Sequence, residues 1–281
     1  MDSSSPLDDA RKVLSSHGHA FQYAVLRRGE ELANTRKSTW LFEAAEFPVG
    51  QANDVVHIDF VLQSASGRVY LVAECKRADP ARARWCFVKA PYTRRDAHET
   101  ELVFEQIRCR PANAVWSDPR VTYRSSRATH LGIELGTKTK GDGSRTGASI
   151  KEATTQVLRA LNGLVEHMFP GSASQVKEAG ATVFIPVIFT TAELWLAVGN
   201  LGDADLTTGQ LPENWAQLEQ VPWLWYTYNQ SRALRHALRP GEDRGAFDLS
   251  GALHAEYSRS IAVVGAGGVD AFLTDDPNSW L

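Results

Sequence analysis

The sequence predicts an α/β protein in which a central mixed β-sheet is flanked by helices. Three observations carry that expectation: two β-branched, apolar runs joined by a short polar link, helical periodicity before and after them, and a later pair of apolar runs close together in the chain. With 281 residues, 43% hydrophobic and 22% charged, the chain can bury one core without disulfides or a structural metal, and it reads as a single domain over 1–281.

From Asp8 to about Asn34 helix formers dominate, with Ala20, Ala24, Val25 and Leu32 at helical spacing and Gly18 as the expected interruption. Trp40 to Val49 reads as extended, ended by Pro48 and Gly50. Val55 to Gln63 and Arg68 to Lys76, linked by Ser64-Ala65-Ser66-Gly67, form a hairpin. Arg77 to Gly147 has Pro80, Pro91, Pro111 and Pro119, many arginines and no long helical period, so 77–147 is read as a basic insertion or elaboration.

Ser149 to Met168 returns to helical spacing through Ile150, Val157, Leu158, Leu161, Leu164 and Val165. Ala181 to Phe189 and Leu194 to Val198 read as buried strands, and the short Thr190–Glu193 link makes them expected sheet neighbours. The C-terminal elaboration holds the aromatic run Trp223, Trp225, Tyr226 and Tyr228, expected to pack rather than to stack on bases. A helix from Gln230 to Leu238 and a strand from Ser260 to Val264 complete it.

The formal net charge is −3, which names no partner. Its distribution is uneven: residues 76–145 hold 15 Lys and Arg against 8 Asp and Glu, leaving 15 against 25 elsewhere. A local basic surface suits a phosphate backbone, while scattered solvated arginines are the bland alternative. Gly141, Gly143 and Gly147 with Lys138, Lys140 and Arg145 form a basic loop open to either reading.

Cys75, Cys86 and Cys109 form no C-x-x-C pair, which excludes zinc by cysteine spacing and fits a reducing cytoplasm. The first residues are acidic and polar, unlike a secretory signal, and Ala181 to Phe189 is too short to span a bilayer. A soluble cytoplasmic protein with no membrane partner is expected. Val263 to Asp270 superficially resembles a dinucleotide-binding turn, but Asp270 stands where the third glycine belongs.

If the four-residue link closes the hairpin, Gln63 faces Arg68 and Asp59 lies opposite Val72, with His57 opposite Glu74 as a structural neighbour. Alternation then gathers Asp59, Glu74 and Lys76 on one face, while Val56, Ile58, Phe60, Leu62, Val69, Leu71, Ala73 and Cys75 form an apolar reverse face. Two carboxylates with the Cys75 backbone carbonyl suit a hard, oxygen-preferring cation such as Mg²⁺, for which Mn²⁺ substitutes. Lys76 beside such a cation can orient or deprotonate water, the chemistry of phosphodiester hydrolysis.

Asp59, fourteen intervening residues, then Glu74-Cys75-Lys76 resembles the PD-(D/E)XK nuclease superfamily, with Ile58 where that family's name has proline. A helix, three strands with the motif on the second and third, then a later helix and further strands resemble its restriction-endonuclease-like core. That resemblance implies a metal-dependent DNA endonuclease of restriction or antiphage defence, with Asp59 and Glu74 as metal ligands and Lys76 as the catalytic base or positioning group. It also implies a glutamine on the following helix, for which Gln156 is the candidate. An upstream acid often completes the metal site; Glu46 is chosen, with Glu31 and Glu43 as alternatives.

The resemblance admits a homodimer and a separate targeting or activating protein as well. The competing expectation, from a different class, is a catalytically silent nucleic-acid-binding or sensor module on the same fold. Glu74 and Lys76 as a plain same-face ion pair on a solvated sheet is the structural alternative.

Overall fold

The computed structural model describes residues 5–16, 18–50, 55–89, 100–110, 114–136, 148–169, 180–231, 234–235 and 255–280. The N-terminal helical stretch is two helices, α1 (Pro6–Ser16) and α2 (His19–Asn34), because Gly18 takes φ +85, which a side chain disfavours. On α2 the buried stripe is Gln22, Val25 and Leu32, while Ala20 and Ala24 are exposed, so the apolar face is rotated from the expected one.

Strands β1 (Trp40–Val49), β2 (Val56–Ser64) and β3 (Val69–Lys76) follow as an antiparallel meander. Next come β4 (Arg84–Val88), β5 (Glu101–Arg110), β6 (Ala114–Ser117), β7 (Arg120–Arg124), β8 (Ala128–Thr129) and β9 (Leu131–Leu135). Helix α3 (Ala148–Met168) leads to β10 (Gly180–Thr190), β11 (Glu193–Gly199), β12 (Ala216–Val221), β13 (Trp223–Asn229), β14 (Ser258–Gly265) and the short α4 (Val269–Thr274). The helix expected at Gln230–Leu238 falls largely outside the described residues, as does the basic glycine loop.

The large sheet is mixed, ordered β1-β2-β3-β10-β14-β13-β8, with β3, β10 and β14 parallel at its centre. β5 pairs antiparallel with the first half of β10, over Gly180–Phe184, where β14 is not yet alongside. A second sheet is ordered β12-β11-β4-β9. The stretch 77–147 therefore supplies strands to both sheets: β5 to the large one, β4 and β9 to the small one.

The expectation that 181–189 and 194–198 are sheet neighbours is overturned, since β10 lies in the large sheet and β11 in the small one. The reason is in the link. Thr191 N–H donates to the Lys76 carbonyl, its hydroxyl accepts from Ala78 N–H at 2.9 Å, and Glu193 N–H donates to the Ala83 carbonyl. The chain thus leaves β10 beside the exit of β3, and both cross together: β3 is parallel to β10, and β4 to β11.

One face of the large sheet packs on α2 and α4 through Val25, Leu32, Phe60, Leu71, Phe189 and Phe272. The other packs on α3 through Val61, Val72, Leu161, Val165 and Phe184, and on the small sheet through Phe87, Leu194, Ile188 and Val263. The protein is accordingly α/β, a mixed multistranded sheet flanked by helices. Gly163 lets α3 close on β1, because a Cβ there would stand 2.6 Å from Val49 Cγ2. Trp225 is fully buried against Phe104 and Trp280, so the aromatic run packs as expected. No helix among the described residues is long and apolar enough to cross a membrane.

Candidate active site

The β2–β3 ladder is not in the expected register. Gly67, at φ +71, closes a turn by donating to the Ser64 carbonyl at 2.8 Å, and Val69 N–H then reaches Ser64 Oγ, which leaves Arg68 in the loop. Val61, not Asp59, therefore lies opposite Val72, and the ladder runs from Gln63–Tyr70 to Phe60–Ala73. Continuing it sets Asp59, rather than His57, across from Glu74. A slip of two residues preserves the alternation, so Asp59 and Glu74 still belong to one side.

Beyond Phe60–Ala73 a side chain makes the next rung: Cys75 N–H donates to Asp59 Oδ2 at 2.6 Å. At the same level β1 and β2 both change face. Ala45 and Phe60 pack toward α2, whereas Phe47 and Ile58 pack toward α3. Between those two rungs Glu46 lies opposite Asp59 with φ +51, a left-handed conformation costly for a side-chain-bearing residue. The expectation of one continuous apolar reverse face is corrected accordingly: Val56 and Ile58 join the α3 side, and Val61 and Val72 make that side a core face too.

The charges at this point are unbalanced. Glu74 is buried, and that burial, reinforced by the neighbouring Asp59 charge and opposed by Lys76, pushes its carboxyl up to about 8. Asp59 is also raised, first by burial, with the Cys75 amide opposing and the Glu46 charge adding to the rise. Burial likewise pushes the Cys75 thiol up, and its side chain belongs to the core on the α2 side of the sheet. Lys76 Nζ stands 3.5 Å from Glu74 Oε1 and 3.1 Å from Glu152 Oε1, with its side chain 22% exposed.

Of the three upstream acids, Glu46 is the one brought to Asp59. Glu31 pairs with Arg27 and Arg28 on the solvent side of α2, and Glu43 lies at the β1 bulge, where its charge acts on Tyr70. Gln156, on α3, is half-buried, and its Oε1 has no donor among the described residues. Its distance along the chain from Lys76 is the length of the six strands between. His57 is exposed and pairs with Pro48, away from Glu74.

Two residues were missed. Gln22 of α2 donates from Nε2 to Glu46 Oε1 at 2.7 Å and to the Asp59 carbonyl at 2.9 Å. Glu152 of α3 holds Lys76, one helical turn before Gln156. The signal for Gln22 was a polar residue three positions from Val25 on a buried stripe; the signal for Glu152 was its i, i+4 relation to Gln156.

Among the described residues, no group of three or more His, Cys, Asp or Glu side chains is gathered as a metal site. The donors that could hold a cation are the two carboxylates of Asp59 and Glu74 with the Cys75 carbonyl, a set suited to a hard ion that keeps several waters. Two raised carboxyls facing one ammonium fit such an ion, since a dication would relieve the repulsion that burial intensifies.

Five of the described arginines of the basic stretch have local partners. Arg84 pairs with Glu193, Arg108 with Asp118 and Arg124 with Glu101, while Arg110 lies over Trp116 and Arg127 over Trp223. Exposed pairs of this kind are worth under about 1 kcal/mol, so an incoming phosphate competes with them. Cys75, Cys86 and Cys109 are all free thiols. No protein-family model, curated protein or solved structure matches the chain.

Proposed function

We propose that this protein is a Mg²⁺-dependent nuclease with a restriction-endonuclease-like core of the PD-(D/E)XK kind, cutting DNA internally in a restriction or antiphage setting. One observation carries the reading: the buried carboxyl of Glu74 and the half-buried carboxyl of Asp59 meet where the hairpin ladder gives way, with the Lys76 ammonium 3.5 Å from Glu74. Asp59, Glu74 and the Cys75 carbonyl would hold Mg²⁺ or Mn²⁺, with Glu46 alongside. The bound ion would polarise the scissile phosphoryl group and neutralise charge developing on it.

The chain's own residues supply the rest. The Cys75 amide fixes one Asp59 oxygen and leaves the other for a ligand. Lys76, held within reach of Glu74, orients the attacking water and stabilises negative charge at the phosphate. Glu152 pairs with the same ammonium at 3.1 Å and yields when a phosphate arrives. Gln156 Oε1 is a buried acceptor with no donor among the described residues, which water or substrate can supply.

A panel of supercoiled, linear and single-stranded DNA and RNA tests the reading, with wild type and Lys76→Ala in Mg²⁺, Mn²⁺ and chelator. Metal-dependent cutting by wild type and its loss in the variant are expected. Lys76 held between two carboxylates also suits a silent binding module. DNA binding in Ca²⁺ and Mg²⁺ alike, with cleavage in neither Mg²⁺ nor Mn²⁺, selects that module instead.

A further inference from the structure

We infer that Gln22 is a positioning residue: together with the left-handed backbone at Glu46, it holds the Glu46 carboxylate beside Asp59, where its negative charge strengthens the cation site. The inference rests on the proposed cation site. Gln22 is 3% exposed on the buried stripe of α2, where Val25 and Leu32 continue the apolar pattern. An amide there is tolerated only if its hydrogen bonds are met, and both Nε2 bonds go to the site. One reaches the Glu46 carboxylate at 2.7 Å, the other the backbone carbonyl of Asp59 at 2.9 Å. A single side chain thus ties the two acids together.

The second observation is independent of Gln22. Glu46 sits at φ +51 at the rung where β1 and β2 both change face, and strain of this kind persists only where the surroundings impose it. Glycine would adopt this backbone freely, so the face change alone does not call for glutamate. What glutamate adds is a carboxylate, and that carboxylate is the group Gln22 holds. Its charge is near enough to oppose ionisation of Asp59. Outer residues that orient metal ligands change affinity by about 10- to 100-fold when removed.

The test is Mn²⁺ binding by electron paramagnetic resonance, with thermal melting in parallel, on the full chain as wild type, Gln22→Leu, Glu46→Gly and the double variant. Gln22→Leu should weaken Mn²⁺ binding about tenfold in the wild-type background and less than about twofold in the Glu46→Gly background, because it acts through Glu46. Glu46→Gly alone should weaken binding about tenfold while melting no lower than wild type. Equal weakening by Gln22→Leu in both backgrounds, or none in either, overturns the inference. Should Gln22→Leu fail to fold, the Glu46→Gly arm decides, and unchanged Mn²⁺ affinity there overturns it. A wild type that binds no Mn²⁺ overturns the cation site itself, and this inference with it.

Discussion

On β14, Arg259 is 4% exposed and meets Glu105 of β5, 1% exposed, through its Nε at 2.7 Å. Ser117 donates to the other carboxylate oxygen at 2.6 Å, and Arg259 also reaches the Ala255 and Ser258 carbonyls. At the end of the β2–β3 ladder the balance is different: Lys76 is paired with both Glu74 and Glu152, while Asp59 accepts from the Cys75 amide and has no cation of its own within ion-pair distance among the described residues. A buried pair with both carboxylate oxygens and all three guanidinium nitrogens hydrogen-bonded closes on itself, and its role is architectural. A cluster with more carboxyl groups than ammonium groups is open to a cation, and that difference separates scaffold from site within one sheet.

The largest effect should come from breaking the balanced pair. Glu105→Ala leaves Arg259 buried and uncompensated and is expected to cost about 3–5 kcal/mol by chemical denaturation. Replacing both residues with leucine should recover most of it, and a double variant as unstable as the single would end the comparison on that side.

At the unbalanced cluster the signature is pH. The Glu74 carboxyl in the fold titrates at about 8, above its ordinary 4.5, so the folded state holds the proton more tightly than the unfolded chain. Stability of the metal-free protein is therefore full below about pH 4.5 as far as this group is concerned, and falls as pH rises toward 8. The fall should be on the order of several kcal/mol at most. Glu74→Gln should flatten the profile, and an unchanged slope would assign the pH dependence elsewhere.

Smaller effects sharpen the contrast. Glu152→Gln frees Lys76 from its second carboxylate and should tighten DNA binding in Ca²⁺ by roughly two- to tenfold, read by fluorescence anisotropy. Glu193→Ala, which removes the exposed partner of Arg84 at 3.4 Å, should shift stability by no more than about 0.5 kcal/mol.

Much of this was legible in the chain. Helix α3 and the hairpin followed from apolar periodicity, and the gathering of Asp59, Glu74 and Lys76 survived a wrong register because a slip of two keeps the faces. What sequence did not carry was partner choice. The pairing of β10 with β3, β5 and β14, and the passage of β11 into another sheet, depend on contacts remote in the chain, such as Thr191 on Lys76 and Ala78. The face change at Glu46 was hidden as well, since alternation assumes an unbroken strand. Gln22 lies far from the motif in sequence and enters the site only through its helix.

The most direct measurement is isothermal titration of Mg²⁺ into the metal-free protein near pH 7, repeated in buffers of different ionisation enthalpy. Glu74 carries its proton there, so Mg²⁺ binding should release close to one proton per ion, and the buffer dependence should vanish in Glu74→Gln. No binding, or binding without proton release that persists in Glu74→Gln, would contradict the account.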